Sequence, residues 1–128
     1  LLAGGPDAPE GLSRGYFVRP TVFSSVTTDM PLAQEEVFGP VLAILPYDSV
    51  EEAVEIANNS EYGLGGGVWA ESREAGIDVA RRIRTGQVAV NGAIPTADLP
   101  FGGFKKSGIG REGGVHAVEE FLEMKTIF

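Results

Sequence analysis

The order of apolar segments between positions 41 and 91 most strongly restricts the fold of this chain. The run VLAIL (41–45) predicts a strand buried on both faces, and GGGVWA (65–70) and QVAVN (87–91) predict two further strands. Amphipathic segments separate the three. A strand–helix–strand–helix–strand order with short connections favours right-handed crossovers. We therefore expect an α/β fold with a parallel-sheet core and covering helices.

Each of the two helices has a recognisable start. Ser49 and Glu52 have the spacing of a capping box, and Ser72 can cap the second helix. Gly86 follows at a position typical of a left-handed C-terminal cap. The predicted inner faces consist of Val50, Ala53, Val54 and Ala57 in the first helix, and of Ala75, Val79, Ala80 and Ile83 in the second.

Less regular segments flank this core. GYFVRPTVF (15–23) is rich in aromatic and β-branched residues and predicts a strand, which Pro20 makes irregular or places at a sheet edge. Pro31 can begin one helical turn. Near the other end, VHAVEEFLE (115–123) predicts a last helix and MKTIF (124–128) a terminal strand without a partner in its own sequence neighbourhood.

A long loop rich in Pro and Gly occupies residues 92–113 and ends in a G-x-G-x-x-G pattern formed by Gly108, Gly110 and Gly113. A dinucleotide-binding fingerprint needs a strand before it and an acidic residue about 20 positions later. Here FGGFKKS precedes the pattern, and three glutamates lie in the helix predicted after it. We therefore predict that these glycines bend or pack the loop and bind no phosphate.

Charge and cysteine content exclude several classes of function. Ten basic and eighteen acidic residues give a net charge of -8, so we expect no nucleic-acid and no membrane partner. The chain has no cysteine, which excludes disulfides and a thiol nucleophile within it. His116 has no other metal ligand at a useful spacing, so we predict no metal site. No secretory signal opens the sequence, and a cytoplasmic location is expected.

Four sequence blocks in fixed order resemble the C-terminal third of the NAD(P)-dependent aldehyde dehydrogenase superfamily. These blocks are QEEVFGPV (34–41), ANNSEYGL (57–64), VAVN (88–91) and PFGGFKKSGIGREGG (100–114). The resemblance implies that residues 1–122 are the C-terminal part of the catalytic domain and that residues 123–128 form a strand toward an oligomerisation sheet. Together with the opening LLAGG, which lacks an initiator Met, it leads us to expect a larger parent protein.

The resemblance also implies a reaction and its participants. In this family a cysteine attacks an aldehyde, hydride passes to NAD or NADP, and a glutamate activates the water that hydrolyses the thioester to the acid. The cysteine, the base and the dinucleotide-binding domain are absent from these 128 residues, so no catalytic residue is assigned here and the chain alone is expected to be inactive. The implied partners are a small-molecule aldehyde, the rest of the parent polypeptide and further copies in a homo-oligomer.

By the same resemblance, Glu36 accepts hydrogen bonds from the nicotinamide ribose and Phe38 packs against the nicotinamide. A carboxylate suits a diol because it only accepts hydrogen bonds. Without the resemblance, the two residues read as a solvated glutamate and a core phenylalanine. The remaining implied site residues are Phe101 and Leu99 beside the aldehyde, and Asn91, Gly102 and Gly103 as structural residues near the site.

Two other identities fit the same sequence blocks. The chain could be a free-standing, non-catalytic interaction module derived from the same fold, or part of an acylating or phosphate-reducing branch of the superfamily. Lys105 and Lys106 are predicted to be a solvated pair. Arg111 and Glu112 could pair with each other or across an interface.

Overall fold

The computed structural model describes residues 1–128, which divide into two compact units, Leu1–Asn59 and Ser60–Phe128. Each unit contains a parallel sheet of two strands. No helix in either unit is both long and apolar enough to cross a bilayer.

The sheet of the first unit pairs β1 (Thr21–Phe23) with β2 (Val41–Ala43), and Thr21 lies opposite Val41. The strand predicted over residues 15–23 is regular only after Pro20. Proline has no amide hydrogen to donate to a sheet, and the amide of Thr21 provides the first bond, 2.8 Å to the Pro40 carbonyl. The prediction is therefore right for the last three residues alone.

The helices of the first unit start where the sequence predicts. α1 (Pro31–Gln34) is a single turn that begins at Pro31. α2 (Val50–Asn58) begins at Ser49, whose hydroxyl accepts a hydrogen bond from the Glu52 amide at 3.1 Å. The Glu52 carboxylate in turn accepts from the Asp48 amide at 2.7 Å. The capping box is confirmed, with its return bond one residue earlier than the standard pattern.

The second unit contains a strand–helix–strand arrangement, with β3 (Gly65–Val68), α3 (Arg73–Ala80) and β4 (Gln87–Val90). The two strands are parallel, with Gly65 opposite Gln87, and α3 contacts both of them. The hydroxyl of Ser72 accepts from the Ala75 amide at 3.1 Å, which confirms the predicted cap. A Cβ added at Gly76 would lie 2.5 Å from the Val90 side chain, so only a glycine lets α3 pack this closely.

The pairing of the strands differs from the single sheet expected over residues 41–91. β2 pairs with β1, and β3 pairs with β4, so the three predicted strands do not form one sheet. Nor is VLAIL buried on both faces, since its strand covers only Val41–Ala43 and Leu42 is 57% exposed. The reason is a lack of covering residues, because Val26 and Val54, exposed by 4% and 8%, are the only buried hydrophobic residues of the chain.

Three other expectations are also corrected. Val50, Ala57 and Ala75, assigned to inner helix faces, are exposed, and Ile83 lies beyond the end of α3. Gly86 is not a left-handed cap, since α3 already ends at Ala80 and the backbone of Gly86 has no positive φ. The last helix is a 3₁₀ helix over Val115–Phe121. Residues 122–128 have no regular secondary structure, and a strand at 123–128 stays a prediction that needs a partner chain.

Candidate functional site

The predicted site residues divide between the two units, and those of the first unit lie in the loop between α1 and β2. Backbone hydrogen bonds hold this loop at both ends. The amide of Glu35 donates to the Pro31 carbonyl at 2.8 Å, and the Pro40 carbonyl accepts from the amide of Thr21 in β1 at 2.8 Å. The loop is therefore fixed where it leaves the helix and where it enters the strand.

Glu36 and Phe38 project from this loop into solvent. The ring of Phe38 is 93% exposed, and Glu36 and Glu35 are exposed as well. Covering a phenylalanine side chain contributes about 1.5–3 kcal/mol, so an uncovered ring is surface that a ligand or another chain segment can stabilise by contact. The arrangement offers a hydrogen-bond acceptor and an apolar face two residues apart.

In the second unit, three chain segments meet at Gly63. Its carbonyl accepts hydrogen bonds from the amides of Gly86, at 3.0 Å, and Phe104, at 2.8 Å. Its amide donates to the hydroxyl of Ser107 at 3.0 Å. We call this set of contacts the Gly63 junction. It attaches both the entry to β4 and the glycine-rich loop to the segment before β3.

The two lysines beside the junction strengthen the same attachment. The ammonium of Lys105 donates to the Ser60 carbonyl at 2.8 Å, and that of Lys106 to the Glu61 carboxylate at 2.5 Å. The hydrogen bond and the charge of Glu61 raise the pKa of Lys106. Lys106 is solvated as expected, with its side chain 64% exposed, whereas Lys105 is half-buried, and both lysines also attach their segment to residues 60–61.

Close backbone contacts explain the glycines at the junction. A Cβ added at Gly86 would overlap the carbonyl oxygen of Gly102. A Cβ at Gly103 would lie 2.5 Å from the Cβ of Ser107. Gly86 thus serves a close approach of two chain segments, and this is the physical reason for a glycine at the position where a helix cap was expected.

Phe101 and Leu99 lie where the loop passes over the second sheet. Phe101 forms two backbone hydrogen bonds of 2.7 Å with Glu112, and its side chain is 46% exposed. Leu99 is 51% exposed. An open cavity of about 470 Å³ separates β3 and β4 from this part of the loop. The cavity lining is mainly apolar and includes Val88, Ala89, Ala93, Ile94, Pro95, Leu99 and Pro100.

Asn91 connects the start of the loop to the end of β3. Its side-chain oxygen accepts from the Ala70 amide at 2.8 Å, and its own amide donates to the Val68 carbonyl at 2.8 Å. The residue has a left-handed backbone, with φ of 51°, which asparagine tolerates better than most side chains. Asn91 is exposed, and these two bonds hold it against the end of β3.

The G-x-G-x-x-G pattern lacks the surroundings of a phosphate site. A 3₁₀ helix (Lys105–Ser107), not a strand, precedes it. A Cβ at Gly110 would lie 3.6–3.8 Å from the carboxylate of Glu120, so a negative charge occupies the space beside the pattern. This environment agrees with the predicted packing role and disfavours an anion.

Arg111 and His116 also have local roles. Arg111 donates to the carbonyls of Gly103, at 2.9 Å, and Gly110, at 2.8 Å, and does not pair with Glu112. His116 is exposed, with its Nδ1 atom 3.7 Å from the Glu119 carboxylate. No group of three His, Cys, Asp or Glu side chains in the chain could hold a metal ion.

A comparison with known protein families shows to which family this chain belongs. The family model described as "Aldehyde dehydrogenase family" matches residues 1–127. The chain belongs to the aldehyde dehydrogenase family. Solved aldehyde dehydrogenases that superpose on this chain confirm the α/β fold predicted from the sequence.

Individual aldehyde dehydrogenases show how much of such a protein the chain represents. A Staphylococcus saprophyticus protein, provisionally named an aldehyde dehydrogenase, is 51% identical over 127 residues, which are 99% of this chain and 27% of that relative. A mutant of aldehyde dehydrogenase C from Pseudomonas syringae, complexed with NAD+ and octanal, superposes with a TM-score of 0.90 at 50% identity. An NAD+ complex of the Mycobacterium tuberculosis aldehyde dehydrogenase gives 0.88 at 52% identity.

Each of these two structures matches 94% of this chain but only 25% of its own chain. The chain thus spans about a quarter of the length of the aldehyde dehydrogenases it matches. The junction residues Gly63 and Ser107 had no site role in the sequence prediction. Gly63 and Ser107 lie in two of the family blocks. Their place in those blocks was the only sign in the sequence that they could have a role.

Proposed function

We propose that these 128 residues are part of an enzyme that oxidises an aldehyde to a carboxylic acid with NAD or NADP. The family match over residues 1–127 supports this activity, as does the NAD+ in the two complexes described above. The chain contains no cysteine. The nucleophile that forms the thioester, the base that activates water and most of the cofactor-binding surface therefore belong to the rest of the polypeptide.

The role proposed for this chain in cofactor binding depends on one observation, the joint exposure of Glu36 and Phe38 on a loop held at both ends. An ionised carboxylate can accept from both hydroxyls of a ribose, and charge-assisted bonds of this kind are short and strong. The ring of Phe38 offers an apolar face for the nicotinamide. These residues fit the cofactor, which when bound supplies the hydride acceptor.

Leu99 and Phe101 are proposed to form one wall of the aldehyde pocket. Both side chains are about half exposed and follow a mainly apolar stretch. Asn91 at one end of the segment and Gly102 and Gly103 at the other hold it in place through the contacts described above. In this role the segment excludes water from the aldehyde and contributes no reacting group.

Residues 123–128 are proposed to join a sheet with another copy of the protein. Their side chains are exposed and their backbone is in no sheet within the chain, so both are available for strand pairing. A cytoplasmic location is proposed together with this activity.

The decisive experiment compares two adjacent glutamates in the full native polypeptide that contains this segment. Glu36→Gln removes the charge of the proposed ribose ligand, while Glu35→Gln removes the same charge from an exposed neighbour. A charge-assisted hydrogen bond contributes about 1.5–3 kcal/mol, so the KM for the cofactor should rise about tenfold or more in the first variant only. Equal KM values in the two variants would contradict the role of Glu36.

The mass of the native product gives a second test. A product several times larger than 13.5 kDa agrees with the proposal. A native product of about 13.5 kDa without aldehyde oxidation would contradict it and favour the non-catalytic interaction module.

A further inference from the structure

We infer that Ser107 is a positioning residue for the aldehyde wall, an inference that rests on the proposed function. Its hydroxyl accepts a hydrogen bond from the Gly63 amide at 3.0 Å across 44 positions of sequence, in a partly buried setting. No other side-chain oxygen in the chain joins the glycine-rich loop to the backbone before β3 in this way. Ser107 touches neither of the proposed wall residues and acts on them through the backbone.

The position of Ser107 depends on the glycine at position 103. The Cβ of Ser107 lies 2.5 Å from the place where a Cβ on Gly103 would stand, so the serine packs directly against the glycine turn. The turn itself presses against Gly86 through the Gly102 carbonyl. A hydroxyl at position 107 can therefore reach the Gly63 amide without displacing the turn.

The bond has a direct structural path to the proposed wall. Gly63 holds the loop twice, through its amide to Ser107 and through its carbonyl to the Phe104 amide at 2.8 Å. Phe104 is three residues after Phe101, whose backbone pairs with Glu112 through two bonds of 2.7 Å. The segment 101–104 is thus bound on both sides. Loss of the Ser107 hydroxyl removes one of the two bonds to Gly63, which loosens this segment and lets Phe101 and Leu99 shift.

A serine that only stabilises the fold would behave differently, and the chain contains a matched example. The hydroxyl of Ser72 accepts from the Ala75 amide at 3.1 Å at the start of α3. This bond has the same donor and acceptor groups and nearly the same length. Because it caps a helix away from the glycine-rich loop, its loss lowers stability without a path to Phe101.

The experiment measures Ser107→Ala and Ser72→Ala in the full native polypeptide. Loss of one hydrogen bond in a positioning role should raise the KM for the aldehyde by about three- to tenfold, with the KM for the cofactor unchanged. Ser72→Ala should lower the melting temperature about as much as Ser107→Ala does. It should leave both KM values at the wild-type level. Ser107→Thr keeps the oxygen acceptor and should restore most of the aldehyde KM.

Amide hydrogen exchange provides a readout that does not depend on turnover. In Ser107→Ala, the amides of Phe101 and Phe104 should exchange faster than in the wild type, whereas Ser72→Ala should leave them unchanged. If the wild-type protein oxidises no aldehyde, the proposed function fails, and the exchange data still decide the positional role of Ser107. The inference is overturned if the two alanine variants have the same aldehyde KM or the same exchange at Phe101 and Phe104.

A variant series covers the case in which alanine at position 107 prevents folding. Threonine keeps an oxygen acceptor, and cysteine replaces it with a weaker sulfur acceptor. The aldehyde KM should then increase in the order Ser, Thr, Cys. An unchanged KM across the series would also overturn the inference.

Discussion

The guanidinium carbon of Arg111 lies 5.3 Å from the centroid of the Phe104 ring, while Nη1 of the same residue donates to the carbonyls of Gly103 and Gly110. The side chain of Arg111 therefore packs on the Phe104 ring. It also supplies hydrogen-bond donors to two backbone carbonyls of the glycine-rich loop. Arginine can do both because its guanidinium is planar and carries several donors.

Arg111→Lys should destabilise the protein although it keeps the charge. Lysine lacks the planar group that lies over the Phe104 ring, so it cannot bond both carbonyls and stack on the ring at the same time. We expect a loss of about 1–2 kcal/mol in the free energy of unfolding. Arg81→Lys is the control, because the Arg81–Asp78 pair at 3.4 Å is largely exposed and should contribute only about 0–0.5 kcal/mol. Urea unfolding of both variants measures the difference, and equal losses would contradict a special role for Arg111.

Gly86→Ala should be far more damaging than Gly67→Ala. The new Cβ at position 86 would overlap the Gly102 carbonyl oxygen, whereas at position 67 the nearest atom lies 3.9 Å away. We expect a loss of more than about 3 kcal/mol, or no folded protein, for the first change. Less than about 1 kcal/mol in either direction is expected for the second. Soluble yield and melting temperature compare the two, and a well-folded Gly86→Ala protein would show that the loop contact is not required.

Ser49→Ala should lower stability by about 1 kcal/mol. It removes the acceptor for the Glu52 amide at the start of α2, a bond of 3.1 Å. Ser49→Asp keeps an acceptor and adds a negative charge at the helix start, so it should retain the wild-type stability. Thermal unfolding of the three proteins tests this order. An aspartate variant as unstable as the alanine variant would contradict the capping role.

The titration of Asp29 should depend on one neighbouring threonine. The hydroxyl of Thr27 donates to the Asp29 carboxylate at 2.5 Å, and this bond, followed by the backbone amide of Asp29, holds the pKa of the carboxyl below 3.8. A lowered pKa in the folded state means that the contribution to stability is present above the unfolded pKa. It is lost as the pH falls below about 3.8 toward the folded pKa.

Thr27→Val should therefore raise the pKa of Asp29, while Thr28→Val should leave it unchanged. Carbon-detected NMR titration of the side-chain carboxyl measures both. The Asp98 carboxyl, whose pKa is lowered first by the Thr96 hydroxyl, gives an independent case with Thr96→Val. A Thr27→Val protein with the wild-type titration curve would contradict the assignment.

The isolated 128-residue chain should self-associate in solution. Large apolar side chains at its C-terminal end, including Phe121, Leu122 and Ile127, are exposed by 67–87%, and apolar surface of this kind promotes association. Light scattering should give a mass above that of the 13.5 kDa monomer. A chain without residues 123–128 should associate less. A monomeric wild-type chain would contradict the prediction.

The sequence predicted best those features that depend on neighbouring residues. Both helix starts follow from Ser49 and Ser72, because a capping hydroxyl bonds an amide only three residues later. β4 was predicted from its apolar run and confirmed over Gln87–Val90. The family blocks that contain Glu36 and Phe101 were also recognisable, although their roles in binding stay predictions.

Features that depend on distant contacts were not predictable from local pattern. The Ser107–Gly63 bond joins residues 44 positions apart, and nothing in the spacing of either residue indicates the other. The expectation that VLAIL is covered on both faces was wrong for a related reason. An apolar run shows that a segment requires cover, but the covering residues need not belong to the same 128 positions.

The fixed ends of the loop between Asn91 and Phe101 have a practical consequence for protein engineering. Asn91 bonds to Ala70, and Phe101 pairs with Glu112. Neither attachment uses a side chain from residues 93–99. We therefore expect this heptapeptide to accept replacement by loops of equal length from other family members, provided that their backbone still fits against Gly113 and Gly114.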